Sequence, residues 1–411
     1  MCPFFRAAPG EERSPRAKAN AVRQLSIGHI PWHELASPEF KKLADLCFNC
    51  KQCQWECPAS IDVPHLMIEA KAHHVQAQGV SRAEWVLTRF PGWANWLARW
   101  SPVMNGLLNT HGVRWLLERL LGIARQRKLP PLAKQPFLKA GPARWFDPAR
   151  LNDNGKPVIY FVDHVANAHD PQIAWAFGRI LEHHGIPLYV PPHQGPAGMA
   201  AFSCGDLDAA RAYAERNIHL LAEFAREGCP IVCTEPSAAV CLKYDYPLLL
   251  EHPDAELVAA HVTEAGAFLR GLHAAGRLKT DFEPVKARTL YHTPCHVKTL
   301  SRESPLAEIC GWIPGLEVHR IEAGCSGMAG IYGLQRRNFE QSMEIGSGLV
   351  AAVREQTWDF GLTECSSCKW QMEQTVDTPT LHPLLLLGLA YGILPEARER
   401  MRPNPRRLLT S

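Results

Sequence analysis

The amino-acid sequence predicts a helical N-terminal region carrying a dense cysteine motif, followed by an α/β region made of two related halves. Three observations lead there. Residues 1–84 are rich in helix formers and charge and hold Cys47, Cys50, Cys53 and Cys57 close together. From Pro157 onward, short apolar runs alternate with helical patterns, the signature of a parallel sheet covered by helices. The last 260 or so residues also repeat themselves.

Taken in order, the helix-forming region gives way at residues 85–128 to a stretch with Trp85, Trp93, Trp96, Trp100 and Trp115 among Arg89, Arg99, Arg114, Arg119 and Arg125. Trp93, Trp96 and Trp100 share one helical face. Two readings stand for this stretch: helices packed into a core, or a surface resting on a membrane or a partner protein, a boundary that suits Trp and Arg. Residues 129–157 are proline-rich (Pro130, Pro131, Pro136, Pro142, Pro148, Pro157) and read as an interdomain linker. Pro157–Asp163 is a buried-strand pattern. A helix starting at Pro171 and stopping before Gly185 leads into a second strand over Ile186–Val190.

The repeat lays Gly195-Pro-Ala-Gly-Met-Ala on Gly324-Cys-Ser-Gly-Met-Ala, and at the same offset lays Thr234-Glu-Pro-Ser on Thr363-Glu-Cys-Ser. Two anchors in phase without a gap divide the region into halves meeting near residue 285. The expected organisation is therefore 1–84, 85–150, 151–285 and 286–411.

Composition excludes several classes. With 44 Lys+Arg against 41 Asp+Glu, nothing in the charge balance calls for nucleic acid. The longest apolar run, Leu384 to Leu394, is about half of what a spanning helix needs. There is no Walker loop, no strand followed by G-x-G-x-x-G and no G-x-S-x-G elbow, so no flavin or nicotinamide site is expected on this chain.

The 14 cysteines are the informative residues. A chain this long needs no disulfide staples, so clustered thiols point to metal or redox work in a reducing compartment. Cys47-x2-Cys50-x2-Cys53-x3-Cys57-Pro58 suits a 4Fe–4S cubane, because three thiolates on one tight loop reach three corners of one cluster. Zinc sites more often pair two separated C-x2-C knuckles. In two-cluster proteins the cysteine before proline serves the other cluster. Cys2-Pro3 then reads as the end of a second such motif, and Cys2 joins Cys47, Cys50 and Cys53, leaving Cys57 as an orphan ligand. This crossed scheme is preferred over four ligands from the 47–57 motif with Cys2 idle. It carries the expectation that the reading frame begins upstream of Met1 or that the chain is one piece of a longer polypeptide.

A second constellation is Cys295, Cys325, Cys365 and Cys368, all at expected loop or helix-start positions, where backbone N–H groups support sulfur and negative charge. The first half carries His164, Pro196, Pro236 and Ala239 at or near the matched positions, so the fold itself does not demand cysteine there. Four dispersed thiolates suit either a second iron–sulfur cluster or zinc. His292 and His296 flank Cys295 and read as groups supporting it by hydrogen bonds rather than as ligands. Cys233 and Cys241 flank the Thr234-Glu-Pro-Ser loop and, with Cys204, Cys229 and Cys310, are expected to pack in the core.

On these residues the chain resembles the iron–sulfur subunits of flavin dehydrogenases that feed respiratory chains: the iron–sulfur (C) subunit of anaerobic glycerol-3-phosphate dehydrogenase, the glycolate oxidase iron–sulfur subunit, and the iron–sulfur tails of FAD-linked lactate-type oxidases. The resemblance rests on CFNCKQCQWECP (47–58), YHTPCH (291–296), CSGMAG (325–330), TECSSC (363–368) and EERSPRAKANAVR (11–23). It implies an α-helical ferredoxin-like domain followed by a tandem cysteine-rich (CCG-type) domain like that of heterodisulfide reductase. It further implies a FAD-containing dehydrogenase partner, oxidising glycerol 3-phosphate or a 2-hydroxy acid such as lactate or glycolate, and a quinone or membrane electron acceptor. The expected location is cytoplasmic and peripheral, at the inner face of the cell membrane.

Three departures matter. The first cluster motif is present only as Cys2-Pro3, the Cys-Cys-Gly of the second half reads Cys325-Ser326-Gly327, and the first half lacks the family's cysteines. These make an electron relay the expected function, ahead of a heterodisulfide-type thiol enzyme or a zinc-stabilised interaction module. No residue of this chain is expected to be catalytic.

Overall fold

The structure, a computed structural model, describes residues 2–141, 145–147 and 156–403. Pro142, Pro148 and the expected boundary at residue 150 lie outside the described residues.

The N-terminal part is helical: α1 (Pro3–Ala7), α2 (Pro15–Ser26), α3 (Pro38–Asp45), α4 (Gln52–Glu56), α5 (Val63–Gln78), α6 (Arg82–Leu97), α7 (Ser101–Leu108) and α8 (His111–Leu121). Local chemistry sets the starts. Ser14, Ser37, Asp62 and Ser81 each accept a backbone N–H of the helix they precede, and proline occupies the first turn of α2, α3 and α5. At α6, Ser81 and Glu84 form a reciprocal capping box. Leu25, Leu35, Phe40, Ala44, Val63, Met67 and Ala70 make the core of this region, with Cys47 and Cys53 packed against it.

The tryptophans of the next stretch do not pack inward. Trp85, Trp93, Trp96, Trp100 and Trp115 are between 41% and 61% exposed, beside exposed Val103, Leu107, Leu116 and Leu120. The core-packing reading therefore fails for the tryptophans, although the opposite face of these helices is packed. The small residues Ala83, Ala94 and Ala98 take the buried face of α6 and its continuation, and they let the backbone approach its neighbours while the indoles turn outward. Of the five arginines, Arg114 is buried and Arg89 pairs with Asp206 at 2.7 Å, whereas Arg99, Arg119 and Arg125 are exposed. The segment read as a linker is strapped to the body: Leu132 and Phe137 are buried, and the Ala133 N–H donates to the Ala168 carbonyl at 2.8 Å.

The α/β part contains two four-stranded parallel sheets. The first comprises β1 (Val158–Phe161), β2 (Leu188–Tyr189), β3 (Ile231–Cys233) and β4 (Val262–Glu264), in spatial order β2-β1-β3-β4. The second comprises β5 (Ala287–His292), β6 (Leu316–Ile321), β7 (Phe360–Leu362) and β8 (Thr380–Leu381), in order β6-β5-β7-β8. Each sheet has the same order when counted from its own first strand. One core joins the halves, with Tyr160, Phe177 and Leu181 on one side and Tyr291, Phe360 and Leu362 on the other. The apolar run beginning at Leu384 forms the helix Pro383–Ala390, buried along its whole length between them. Burial on every side explains why it shows no polar face. Among the described residues no helix is long and apolar enough to cross a membrane.

Candidate metal centre

The six-residue loop between α3 and α4 carries Cys47 and Cys50, and Cys53 follows in the first turn of α4. Asn49 and Lys51 both adopt φ of 56°, left-handed values that side chains other than glycine rarely take. These reversals coil the backbone tightly between Cys47 and Cys53, the form a loop needs if successive thiols are to face one point. The strain is held by buried partners: Lys51 Nζ pairs with Asp245 at 2.8 Å, and His296 Nε2 meets the Asn49 carbonyl oxygen at 3.2 Å.

Cys2, Cys47, Cys50 and Cys53 line one cavity together with Pro3, Pro15, Lys18, Phe48, Val63 and Pro64. Cys57, at the end of α4, is not among its lining residues. Burial raises the Cys50 thiol well above its ordinary value, and neighbouring Cys47, Cys325 and Cys2 raise it further. Burial likewise pushes Cys53 up to about 12, with Cys47 and Cys2 adding to it. With their pKa values raised, Cys50 and Cys53 carry protons when nothing binds them, and a metal group is what turns such thiols into thiolates. The donor set therefore fits an iron–sulfur cluster.

The second constellation sits where an open parallel sheet binds ligands, outside the carboxyl ends of strands at the point where the chain diverges to either side. Cys295 follows β5, Cys325 follows β6, and Cys365 follows β7 with Cys368 one turn on in the helix Ser366–Met372. Cys295 donates to Cys325, a contact that lowers the Cys325 thiol and, together with burial, raises Cys295. Cys368 stands in the same relation to Cys365, which is lowered first by that contact and then supported by backbone N–H groups of the helix start. Gly327 shapes the Cys325 loop: its φ is +77°, and a Cβ there would lie 2.3 Å from the Ser342 carbonyl oxygen.

The two groups adjoin. Cys50 is influenced by Cys325, and Cys295 by Cys50. Thr299 Oγ1 donates to the Cys50 carbonyl oxygen at 3.0 Å, and Gln52 Nε2 donates to Thr299 Oγ1 at 2.8 Å. His296 bonds Ser237 Oγ and the Asn49 carbonyl, so it ties the cysteine loop to the helix Pro236–Val240 rather than touching a sulfur. His292 is buried with Nδ1 unpartnered, and burial pushes its ring down to about 3. Among the described residues no three His, Cys, Asp or Glu side chains converge as a single metal ion would require. A cluster, which offers its own irons at several corners, asks less convergence of its thiols.

Several residues of the site carry no motif. Glu235 reaches across from the first half: its Oε2 accepts the Ser366 N–H at 3.0 Å, and its carboxyl is raised by burial and by Cys365. The repeat of Thr-Glu before Pro236 and before Cys365 was the available signal for it. Ser326 Oγ accepts from Cys368 Sγ at 3.3 Å, placing a hydroxyl where the related pattern has a thiol. The buried lysines Lys18, Lys51 and Lys71 had no sequence signal, since charge alone reads as surface. Cys204, Cys229, Cys233, Cys241 and Cys310 are buried, as packing residues are.

A model of the 4Fe-4S dicluster domain matches residues 1–62, and one of the Cysteine-rich domain matches residues 289–373. The chain is 28% identical over 299 residues to the C subunit of anaerobic glycerol-3-phosphate dehydrogenase from Escherichia coli (strain K12), covering 71% of this chain and 73% of that one. It is 24% identical to the probable glycolate oxidase iron-sulfur subunit of Bacillus subtilis (strain 168), over 92% of this chain and 86% of that one. It is also 24% identical to D-2-hydroxyglutarate dehydrogenase of Escherichia coli (strain K12), with 94% of this chain matching 41% of that longer protein. The chain is thus similar to the iron–sulfur subunits of anaerobic glycerol-3-phosphate dehydrogenase and glycolate oxidase, with a 4Fe–4S dicluster domain and a cysteine-rich domain matched within it.

Proposed function

We propose that this chain is an electron-transfer subunit with a ferredoxin-like helical domain, taking electrons from a flavin dehydrogenase and passing them to a quinone or another membrane carrier. The observation that carries the reading is the single cavity lined by Cys2, Cys47, Cys50 and Cys53, with Cys295 and Cys325 adjoining it. A 4Fe–4S group held there supplies one-electron chemistry, while substrate oxidation belongs to the flavin. The chain's own residues do the rest. The coiled 47–53 loop fixes the thiols, Phe48, Val63 and the prolines limit water, and the Gln52–Thr299 bridge keeps the second thiol group against the first.

The donor substrate in this reading is glycerol 3-phosphate or a 2-hydroxy acid, as the names of the relatives suggest. We place the protein peripherally at the inner face of the cell membrane. The exposed tryptophans of α6–α8 lie in a stretch whose one acidic residue, from 85 to 128, is Glu118, so the face that would meet anionic headgroups is apolar and basic. The thiol-enzyme alternative is weakened by Ser326, which leaves four cysteines in the second group.

The test is anaerobic reconstitution followed by reduction and reoxidation. The reading expects a brown protein with iron and acid-labile sulfide, bleached by dithionite with a reduced-cluster EPR signal and restored by a soluble quinone. Zinc without iron, or iron that dithionite does not reduce, would refute it.

A further inference from the structure

Three lysines are buried around the first cavity, and their partners differ. Lys51 is neutralised by Asp245 at 2.8 Å. Lys71 Nζ donates to the carbonyl oxygens of Cys47 and Ser203, both at 2.9 Å, and faces the far side of Cys47. Lys18 is 1% exposed and lines the cavity itself; its Nζ donates to the Leu46 carbonyl at 2.6 Å, to the Arg13 carbonyl at 3.1 Å and to Cys2 Sγ at 3.6 Å. The Phe4 ring covers it, with the ammonium 5.6 Å from the ring centroid. Among the described residues no carboxylate lies within ion-pair distance of Lys18. A charge removed from water needs a counter-charge, and carbonyl dipoles supply only part of one. The remaining partner is whatever anion fills the cavity.

We propose that Lys18 is a positioning residue that raises the reduction potential of the group held by Cys2, Cys47, Cys50 and Cys53, its buried ammonium being the counter-charge to that group. The proposal rests on the iron–sulfur reading above. Reduction adds one electron from the flavin donor, or from dithionite in vitro, and makes the thiolate-bound centre more negative by one; no bond forms or breaks and no proton moves. A fixed cation against one sulfur stabilises the reduced form more than the oxidised form. Lys18 is thereby distinguished from Lys51, whose field Asp245 cancels.

The experiment is an EPR-monitored redox titration of reconstituted wild type, Lys18→Met and Lys18→Arg, with unfolding of the three apo-proteins beside it. Lys18→Met should favour the oxidised form at least tenfold, a negative shift of about 59 mV for one electron. Lys18→Arg should stay near wild type. Apo Lys18→Met should unfold at higher denaturant than apo wild type, because it no longer buries an unbalanced charge. Iron retained in Lys18→Met at an unchanged potential overturns the proposal while leaving the electron-carrier reading intact. Wild type that assembles no cluster overturns both. Should Lys18→Met hold no iron, Lys18→Gln takes its place in the titration. Loss of iron from both neutral variants would put the need for charge at assembly and would equally overturn the proposal.

Discussion

Gln52 Nε2 donates to the Cys295 carbonyl oxygen at 3.0 Å, although the two residues are 243 positions apart. That bond, extended through Thr299, ties the first cysteine loop to the helix that opens the second site. Gln52→Leu keeps the volume and loses both donors. It should lower unfolding stability by about 0.5–1.5 kcal/mol, the net worth of a part-buried hydrogen bond, since the Cys295 carbonyl keeps the Thr299 hydroxyl as a donor. Urea denaturation of the reconstituted protein measures it, and an unchanged midpoint would mean that the loop and the helix are held together elsewhere.

The outward tryptophans lead to a separable prediction. Trp96→Ser with Trp100→Ser removes exposed apolar surface and should change stability by no more than about 0.5 kcal/mol, as surface substitutions do. Iron content should be unaffected. Co-sedimentation with vesicles containing anionic lipid should fall several-fold. Equal binding by the double variant and wild type would remove these helices from the membrane account.

Acid sensitivity has a specific source in His382. Its Nε2 bonds the Thr234 carbonyl oxygen at 3.1 Å, and its Nδ1 accepts the Leu384 N–H at 3.2 Å, so the ring joins the two halves and caps the buried apolar helix. Burial pushes its pKa from 6.5 down to about 4. Between those values the unfolded chain binds a proton that the folded protein refuses, so this residue's contribution to stability is lost as pH falls from 6.5 toward 4. His382→Gln should flatten the stability–pH curve of the apo-protein by about 1.4 kcal/mol per pH unit across that window. Parallel curves for variant and wild type would contradict the assignment.

Much of this architecture is legible in the sequence, and the reason differs by element. The run Val158–Phe161 and the helix Pro171–His183 fall within the patterns read for them, because a buried parallel strand and a proline-started helix leave local marks. The cysteine spacing pointed to Cys2 beside Cys47, Cys50 and Cys53 through a rule about ligand exchange between clusters. The tryptophan stretch could not be resolved by periodicity, since a stripe of indoles has the same spacing whether it faces a core or solvent. Lys18 is invisible for a related reason. It is buried by segments distant in sequence, and nothing local distinguishes a lysine over a thiol from a lysine in water.

The proposed ligation is one cluster held by Cys2, Cys47, Cys50 and Cys53, with Cys57 outside it. The most direct measurement is iron and acid-labile sulfide per chain, with EPR of the reduced protein, in Cys2→Ser and Cys57→Ser prepared side by side under anaerobic conditions. The account predicts that Cys2→Ser loses or severely weakens the cluster signal, while Cys57→Ser keeps the iron content and spectrum of the wild type. The reverse result, with Cys57 required and Cys2 dispensable, would contradict it.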